Sequence, residues 1–558
     1  MAIAQWTGQP RVKGGSESMQ MALLTTSMVG LQFVWGTEMT YASPYLLSLG
    51  LSKSKLSLVW VAGPLSGLIM QPVIGMISDR SKSKYGRRRP FMAAGTVAVF
   101  FCLLVLGWTQ EVVGWFVQDR ELRRTLAITA AVIDIYVLDF VINIAQSTCR
   151  ALVVDTLPVE KQQLGSAWCS RMTGIGHMMM YGLGALDLDS LLGGFLGDTQ
   201  FKKVCAIAAV AMVIAQGISC WAVTERVYVG DATSIQRNDG IITILRQIYS
   251  TTINVPERIQ AICMVQFWSW IGWFPFLFYG STWVGEIYLR HEAPSSGGDA
   301  LTEVGKAGSA AYLAFAIISF LSSIVLPWLV QNPDQDDSPG YTPRPPQGLQ
   351  SIVAAVRKNR PTLLTAWMLS CCIFAASMIF APWVRSVKAA TLIIALCGVP
   401  FAVGGWAPGT FLGIEVNRMN TSIPMSQIRK TSSRRTSEDS TDASTLSSHS
   451  SHSSPRTLHL RHSSNASAGN TSSTGESSGI YLGILNIYTT LPQFVGTGIS
   501  WVVFSILEPG KSPELATEAH PDEHHSTEGV SGIAVCLFIG ALSALVAAWA
   551  TRRLKVTD

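Results

Sequence analysis

Asp139, Asn143, Gln146 and Arg150 follow one another at i, i+4, i+7 and i+11. At about 100° per residue they make a single stripe on a helix whose other faces are Leu, Val, Ile and Phe. A lone polar stripe on an apolar helix faces a bundle interior or a water-filled cavity rather than lipid. Ionising a carboxyl group in a low-dielectric medium is costly, so an acid held there is suited to take up a proton and release it again. The alternative is a structural acid bonded to a neighbouring helix. Arg150 lies about 16 Å further along the axis at 1.5 Å per residue, so it cannot pair with Asp139 along one helix. Glu38, followed by Tyr41 and Tyr45 at i+3 and i+7, is a second such acid. It could carry another proton, accept ligand hydroxyls, or pair with a cation such as Arg171. His177 sits among methionines and reads as packing. Asp134 is off the stripe and nearer the outer surface.

Neutral groups complete the set. Gln266, Trp270 and Trp273 share one helical face in a segment dense in aromatics, and Asn486, Thr489 or Thr490, and Gln493 share another, where Pro492 weakens the helix. Flat aromatic faces with amide donors and acceptors suit an uncharged polyhydroxylated ligand. An anion site would need more Arg or Lys inside the bundle. Packing and an interfacial belt are the competing readings for the tryptophans, and Trp283 is read as belt.

The elements that must position these residues are membrane helices. The 558 residues are 48% hydrophobic and 14% charged, against about 25% charged in a soluble domain. At about 20 apolar residues per span, twelve segments qualify: 19–42, 56–78, 90–109, 125–149, 164–186, 204–224, 259–283, 308–330, 361–383, 388–412, 479–504 and 529–551. The expected fold is all-α and integral to the membrane, with twelve spans in two six-helix halves. The domains are a cytoplasmic tail 1–18, a first half 19–224, a cytoplasmic connector 225–257, a second half 258–551 and a tail 552–558. The first 18 residues lack a hydrophobic core, so no cleavable signal peptide is expected.

Residues 75–90 form a dense basic loop, with Arg80, Lys82, Lys84, Arg87, Arg88 and Arg89 between two apolar runs. Such loops stay on the cytoplasmic side. With the N-terminus inside, about 27 of the 41 Lys and Arg fall in cytoplasmic segments and about 12 outside. The net charge of +5 is spread over loops and is no nucleic-acid footprint. The ten cysteines all lie in or at the ends of spans, where packing is the default. Insertions 331–360 and 420–478 are polar and of low complexity, and are expected to be disordered. The second holds Ser432 and Ser437, each with Arg three positions before it, which suits a basophilic kinase; a passive linker is the alternative. Three glycosylation sequons, at Asn420, Asn465 and Asn470, lie in the same cytoplasmic region. His520-Pro-Asp-Glu-His-His525 could bind a metal, but without a fixed scaffold it reads as a solvated loop. HExxH and GxSxG motifs are absent, and no enzyme is expected.

Gln32-Phe33, Gly63-Pro-Leu-Ser-Gly67, Gln71-Pro72, Ser78-Asp-Arg with Tyr85-Gly-Arg-Arg-Arg-Pro-Phe91, Thr148-Cys-Arg-Ala-Leu152 with Asp155, Trp273-Phe-Pro-Phe276 and Leu482-Gly-Ile-Leu-Asn486 with Pro492-Gln493 resemble the sucrose/H⁺ symporters of the glycoside-pentoside-hexuronide group, in the major facilitator superfamily. The resemblance implies a twelve-helix, alternating-access carrier with H⁺ as coupling ion and no other cofactor. It implies that Asp139 is the proton-coupling acid and Arg150 the essential arginine of the fourth span. It further implies that Gly75, Asp79, Arg80, Gly86 and Arg87 to Arg89 form the cytoplasmic latch of the outward-facing state. Glu38 joins Asp139 as a proton-coupling candidate. Asn143, Gln146, Arg150, Gln266, Trp270, Trp273, Asn486 and Gln493 are the substrate-site candidates. Plant members carry an Asp and an Arg after the seventh span, where only Glu286 remains here. Glu38 instead resembles the fungal and animal branches. The fungal branch is associated with sucrose, maltose and other α-glucosides. The expectation is proton-coupled sugar import through the plasma membrane or the vacuolar membrane. A uniporter, a Na⁺-coupled carrier, or a nutrient sensor signalling through 420–478 are the alternatives.

Overall fold

A computed structural model describes residues 5–79, 81–158, 161–230, 255–292, 299–331, 361–421, 471–512, 515 and 529–556. Among them, ten helices are long and apolar enough to cross a membrane. They coincide with ten of the twelve expected spans. The other two are helical at the expected places but differ in kind. The first is broken into α1 (Glu17–Thr25), α2 (Ser27–Thr37), a π turn (Glu38–Ala42) and α3 (Ser43–Ser48). The wide turn occurs at Glu38, and such insertions are frequent at functional sites. The fifth is α9 (Gln162–Ala185), continuous but diluted by Arg171, His177 and several glycines.

The remaining helices of the first half are α4 (Lys53–Val59), α5 (Ala62–Asp79), α6 (Arg89–Gly107), α7 (Thr109–Gly114), α8 (Arg120–Thr156), α10 (Leu188–Leu192) and α11 (Gln200–Ala222). The second half comprises α12 (Glu257–His291), α13 (Ala300–Leu329), α14 (Leu363–Met378), α15 (Val387–Leu396), α16 (Gly398–Thr421), α17 (Thr471–Leu507) and α18 (Gly532–Val556). Several outrun their apolar cores. α17 begins at Thr471, so the last residues of the 420–478 insertion are helical rather than unstructured, because extending an existing helix costs little once it has nucleated. α18 likewise runs to Val556, into the expected C-terminal tail. Asn420 falls in the last turn of α16, and residues 422–470, with Ser432, Ser437, Asn465 and Asn470, lie outside the described residues, as do 332–360 and 520–525.

Within the first half, α8 packs on α5 and α6, and α2 on α9 and α11; within the second, α12 packs on α13, α17 and α18. The halves meet along α9 with α13, α4 with α17, and the π turn with α12. α12 is the axial element: 72% of its apolar stretch is buried, more than in any other of the ten helices. This corrects the reading of Trp283 as a belt residue. Its ring is 1% exposed, because a helix wrapped on all sides cannot offer an aromatic to a membrane surface.

The N-terminal tail is not a free strand. β1 (Gln5–Thr7) pairs antiparallel with β4 (Val227–Gly230), and β2 (Arg11–Val12) with β3 (Val223–Thr224), binding the tail to the segment that follows α11.

α12 crosses α18 with backbone against backbone. A Cβ on Gly272 would stand 2.7 Å from the Gly540 carbonyl oxygen, and one on Gly540 would stand 2.9 Å from the Gly272 Cα. Small residues allow such backbone contact between membrane helices. Both sides of this contact are main chain, so nothing can swing aside. Gly272→Val is expected to cost about 1–3 kcal/mol and to lower the thermal unfolding midpoint in detergent. Gly217→Ala, whose new methyl would meet nothing within 4 Å, should leave the midpoint unchanged.

Candidate functional site

The polar stripe of α8 reaches the centre of the bundle. Asp139 is 1% exposed and Asn143 3%; Gln146 is half-buried, and Arg150, nearer the end of the helix, is exposed. Asn143 Nδ2 donates to Ser66 Oγ on α5 and to the Asp139 carbonyl, each at 2.9 Å. Its Oδ1 accepts from Gln71 Nε2 at 3.5 Å, and Gln71 Oε1 accepts from Asn486 Nδ2 of α17 at 3.4 Å. A chain of neutral amides therefore runs from α8 through α5 to α17, across the line between the halves.

Two carboxylates stand beside this chain. Glu38 is fully buried on the π turn. Neither its carboxylate oxygens nor those of Asp139 have a hydrogen-bond partner among the described residues. Arg171 does not neutralise Glu38. It is exposed and its guanidinium lies over the Trp168 ring of its own helix, 5.4 Å from the centroid. Levels explain this: Gly36 abuts Met180, and Arg171 is about 13 Å below Met180 along α9 at 1.5 Å per residue. His177 stacks on Tyr181 at 5.4 Å, as a packing residue would. Asp134 sits on another face of α8, towards the Cys102 thiol of α6.

The second-half candidates divide. Gln266 is buried and Trp270 half-buried. Trp273 is 6% exposed and boxed by Phe276, Phe374 and Phe401, with ring centroids 4.5–5.3 Å away. Its ring is a core group in this conformation. Gln493 turns its amide back on its own helix, donating to the Thr489 carbonyl at 3.0 Å.

At one end of the bundle the halves are pinned by charge. Lys53, at the start of α4, pairs with Glu286 of α12 at 2.5 Å and with Glu508, just past α17, at 2.7 Å. The three side chains are 0–3% exposed. Ser531 Oγ donates to Glu286 and the Gly532 N–H to Glu508. At the other end lies the basic loop. Arg87 binds Asp155 at 2.5 Å and Asp79 at 3.4 Å; Arg88 reaches Asp155 at 2.8 Å and also contacts Asp79 and Ser78. The Glu225 carboxylate accepts the backbone N–H groups of Arg87, Arg88 and Arg89 at 2.8–2.9 Å. Gly86 has φ +103°, and a Cβ there would collide with Glu225, so this turn requires glycine. Gly75 lies on α5 one turn before Asp79, and Arg80 is outside the described residues. Every described member of this network belongs to the first half and its connector.

Comparison with known proteins places this geometry. The family model described as MFS/sugar transport protein matches residues 25–279, which include Glu38, the basic loop, the α8 stripe and most of α12. The general alpha-glucoside permease of Schizosaccharomyces pombe is 28% identical over 96% of this chain and 93% of its own length. The chain is similar to this family over residues 25–279 and to the permease along nearly its whole length. The sucrose transport protein SUC4 of Arabidopsis thaliana is 32% identical over 46% of this transporter and 53% of its own length. A D-xylose–proton symporter structure superposes with a TM-score of 0.53 at 13% identity, covering 95% of this transporter and 96% of that chain, which shows the shared fold.

Three functional elements of the transporter were missed in its sequence: Lys53, Glu225 and the bridging role of Gln71. A lysine in a short loop and a glutamate after a span read as solvated, and their partners are remote along the chain. The Lys53 cluster makes a measurable demand on stability. Arg290 also approaches Glu508, at 3.9 Å, but Lys53 is the more deeply buried cation. Breaking a buried ion pair costs about 3–5 kcal/mol, so Lys53→Ala should lower the unfolding midpoint clearly, whereas Lys53→Arg should retain much of it.

Proposed function

We propose that the transporter couples inward movement of H⁺ to the import of an α-glucoside, sucrose or maltose first, by alternating access. The observation that carries this is the pair of enclosed carboxyl groups, Glu38 and Asp139, without an ion-pair or hydrogen-bond partner among the described residues, and a neutral amide chain that spans both halves. Neutral amides suit sugar hydroxyls, and buried carboxyl groups suit a proton as the only cofactor. The names of the permease and sucrose transport relatives agree with this substrate class. Glu286 and Glu508 lie with Lys53 at the end we assign to the outside, and the Arg88 loop marks the cytoplasm, where both termini then lie. The Lys53 cluster closes the outer mouth in this conformation. Protonation of Asp139 from outside removes a buried charge and favours sugar binding between the halves. Rocking then exposes the site inward, where the proton leaves. We place the protein in the plasma membrane and assign Ser432 and Ser437 to a basophilic kinase.

Cells lacking their own carriers and expressing the protein should accumulate radiolabelled sucrose or maltose at acidic external pH, and an uncoupler should abolish the accumulation. Asp139→Asn, which keeps shape but cannot ionise, should abolish accumulation while leaving downhill exchange measurable. Normal accumulation in that variant would overturn the assignment. Uncoupler-insensitive equilibration would make the protein a uniporter, and dependence on Na⁺ would replace the coupling ion.

A further inference from the structure

The amide chain has a geometry that helix packing alone does not explain. Gln71 makes its two bridging hydrogen bonds at 3.4 and 3.5 Å, at the long limit for an amide pair, whose optimum is about 2.9 Å. It is therefore held between two partners without closing fully on either. One and two turns before it on the same face of α5, Gly67 and Gly63 present backbone only. A Cβ at Gly67 would stand 3.8 Å from Asn143 Oδ1 and 3.9 Å from Gln71 Nε2. One at Gly63 would stand 4.0 Å from Asp139 Oδ1 and 3.9 Å from the Phe278 ring of α12. Two turns of bare helix therefore face the enclosed, unpartnered Asp139 carboxylate, and a flat apolar ring from the other half borders them. Bare backbone, an aromatic face and hydrogen-bonding groups that are both donors and acceptors are the requirements for seating a pyranose ring.

We propose that Gln71 is a specificity-determining residue of the sugar site: the ring rests on the Gly63–Gly67 face of α5, and Gln71 trades its two long bonds for two shorter ones to ring hydroxyls. This deepens the sugar-transport reading and rests on it. Donor and acceptor of one amide engage neighbouring hydroxyls, so Gln71 reads a particular pair of them. The link to Asn486 then makes that reading depend on the approach of the second half, which joins recognition to closure.

The test pairs variants of the full-length protein with maltose and its monodeoxy derivatives in the non-reducing ring, measuring binding to purified protein. With the wild type, removing a hydroxyl that meets Gln71 should weaken binding about tenfold, the scale of one or two well-made neutral hydrogen bonds. Gln71→Leu should bind maltose about tenfold more weakly, yet bind that deoxy sugar no worse than maltose. Such non-additivity reports a direct contact. Losses that are the same for every derivative would show that Gln71 only holds helices, and would overturn the proposal. Gly67→Ala guards against misfolding: its methyl makes ordinary van der Waals contacts, so the unfolding midpoint should be unchanged while maltose affinity falls. Unchanged affinity in Gly67→Ala would remove the docking face and contradict the proposal. Failure of the wild type to bind maltose, sucrose or any derivative would instead contradict the substrate reading itself, and this assignment with it.

Discussion

Burying a carboxylate without a counter-ion is the constraint around which this bundle is organised. Glu38 and Asp139 are enclosed with all four oxygens unpartnered among the described residues, and an uncompensated buried ion costs several kcal/mol. The same molecule shows the compensated alternative at its Lys53 end, where one ammonium group pairs with two equally buried carboxylates and Arg290 approaches one of them. The contrast separates two tasks. Charges that pin the halves together are paired across them, while the two acids at the centre have no hydrogen-bond partner among the described residues, as the proposed proton coupling requires. The π turn that carries Glu38 and the amide chain beside Asp139 both lie where the halves meet, so a change in charge at the centre is felt by the packing between them.

Charged networks occupy the two ends differently. The Lys53 cluster joins α4 to α12 and to the residue after α17, and so can exist only while that end is shut. The Arg87–Arg88 network stays within the first half, holding the α5–α6 loop to α8 and, through Glu225, to the strand that binds the N-terminal tail. A carboxylate that accepts three successive backbone N–H groups at a helix start adds to the favourable placement of negative charge there. It fixes the loop as a rigid unit, ready to move with its half.

Much of this was legible beforehand, for physical reasons that differ by element. Membrane helices announce themselves through length and apolarity, and the α8 stripe through a periodicity that any helix must obey, so Asp139 and Asn143 fall together as expected. Lys53 illustrates the limit. Nothing local distinguishes it from the exposed Lys55, and its role exists only once α12 and the end of α17 arrive from the second half. Gln71 is similar: its neighbours on α5 are visible, but its partners on α8 and α17 are not. Arg171 failed as a partner for Glu38 because a residue's level in the membrane depends on which glycines set the packing height of α9. Trp273 and Trp283 became core side chains because α12 is axial, a fact of assembly rather than of local composition.

The central claim is that sugar and proton cross together through Asp139. The direct measurement is proton movement in proteoliposomes reconstituted with the purified transporter, using a pH indicator outside and no imposed proton gradient. Adding maltose or sucrose outside should alkalinise the external medium in wild-type vesicles and leave it unchanged with Asp139→Asn. Entry of sugar into wild-type vesicles with no proton movement would contradict the account.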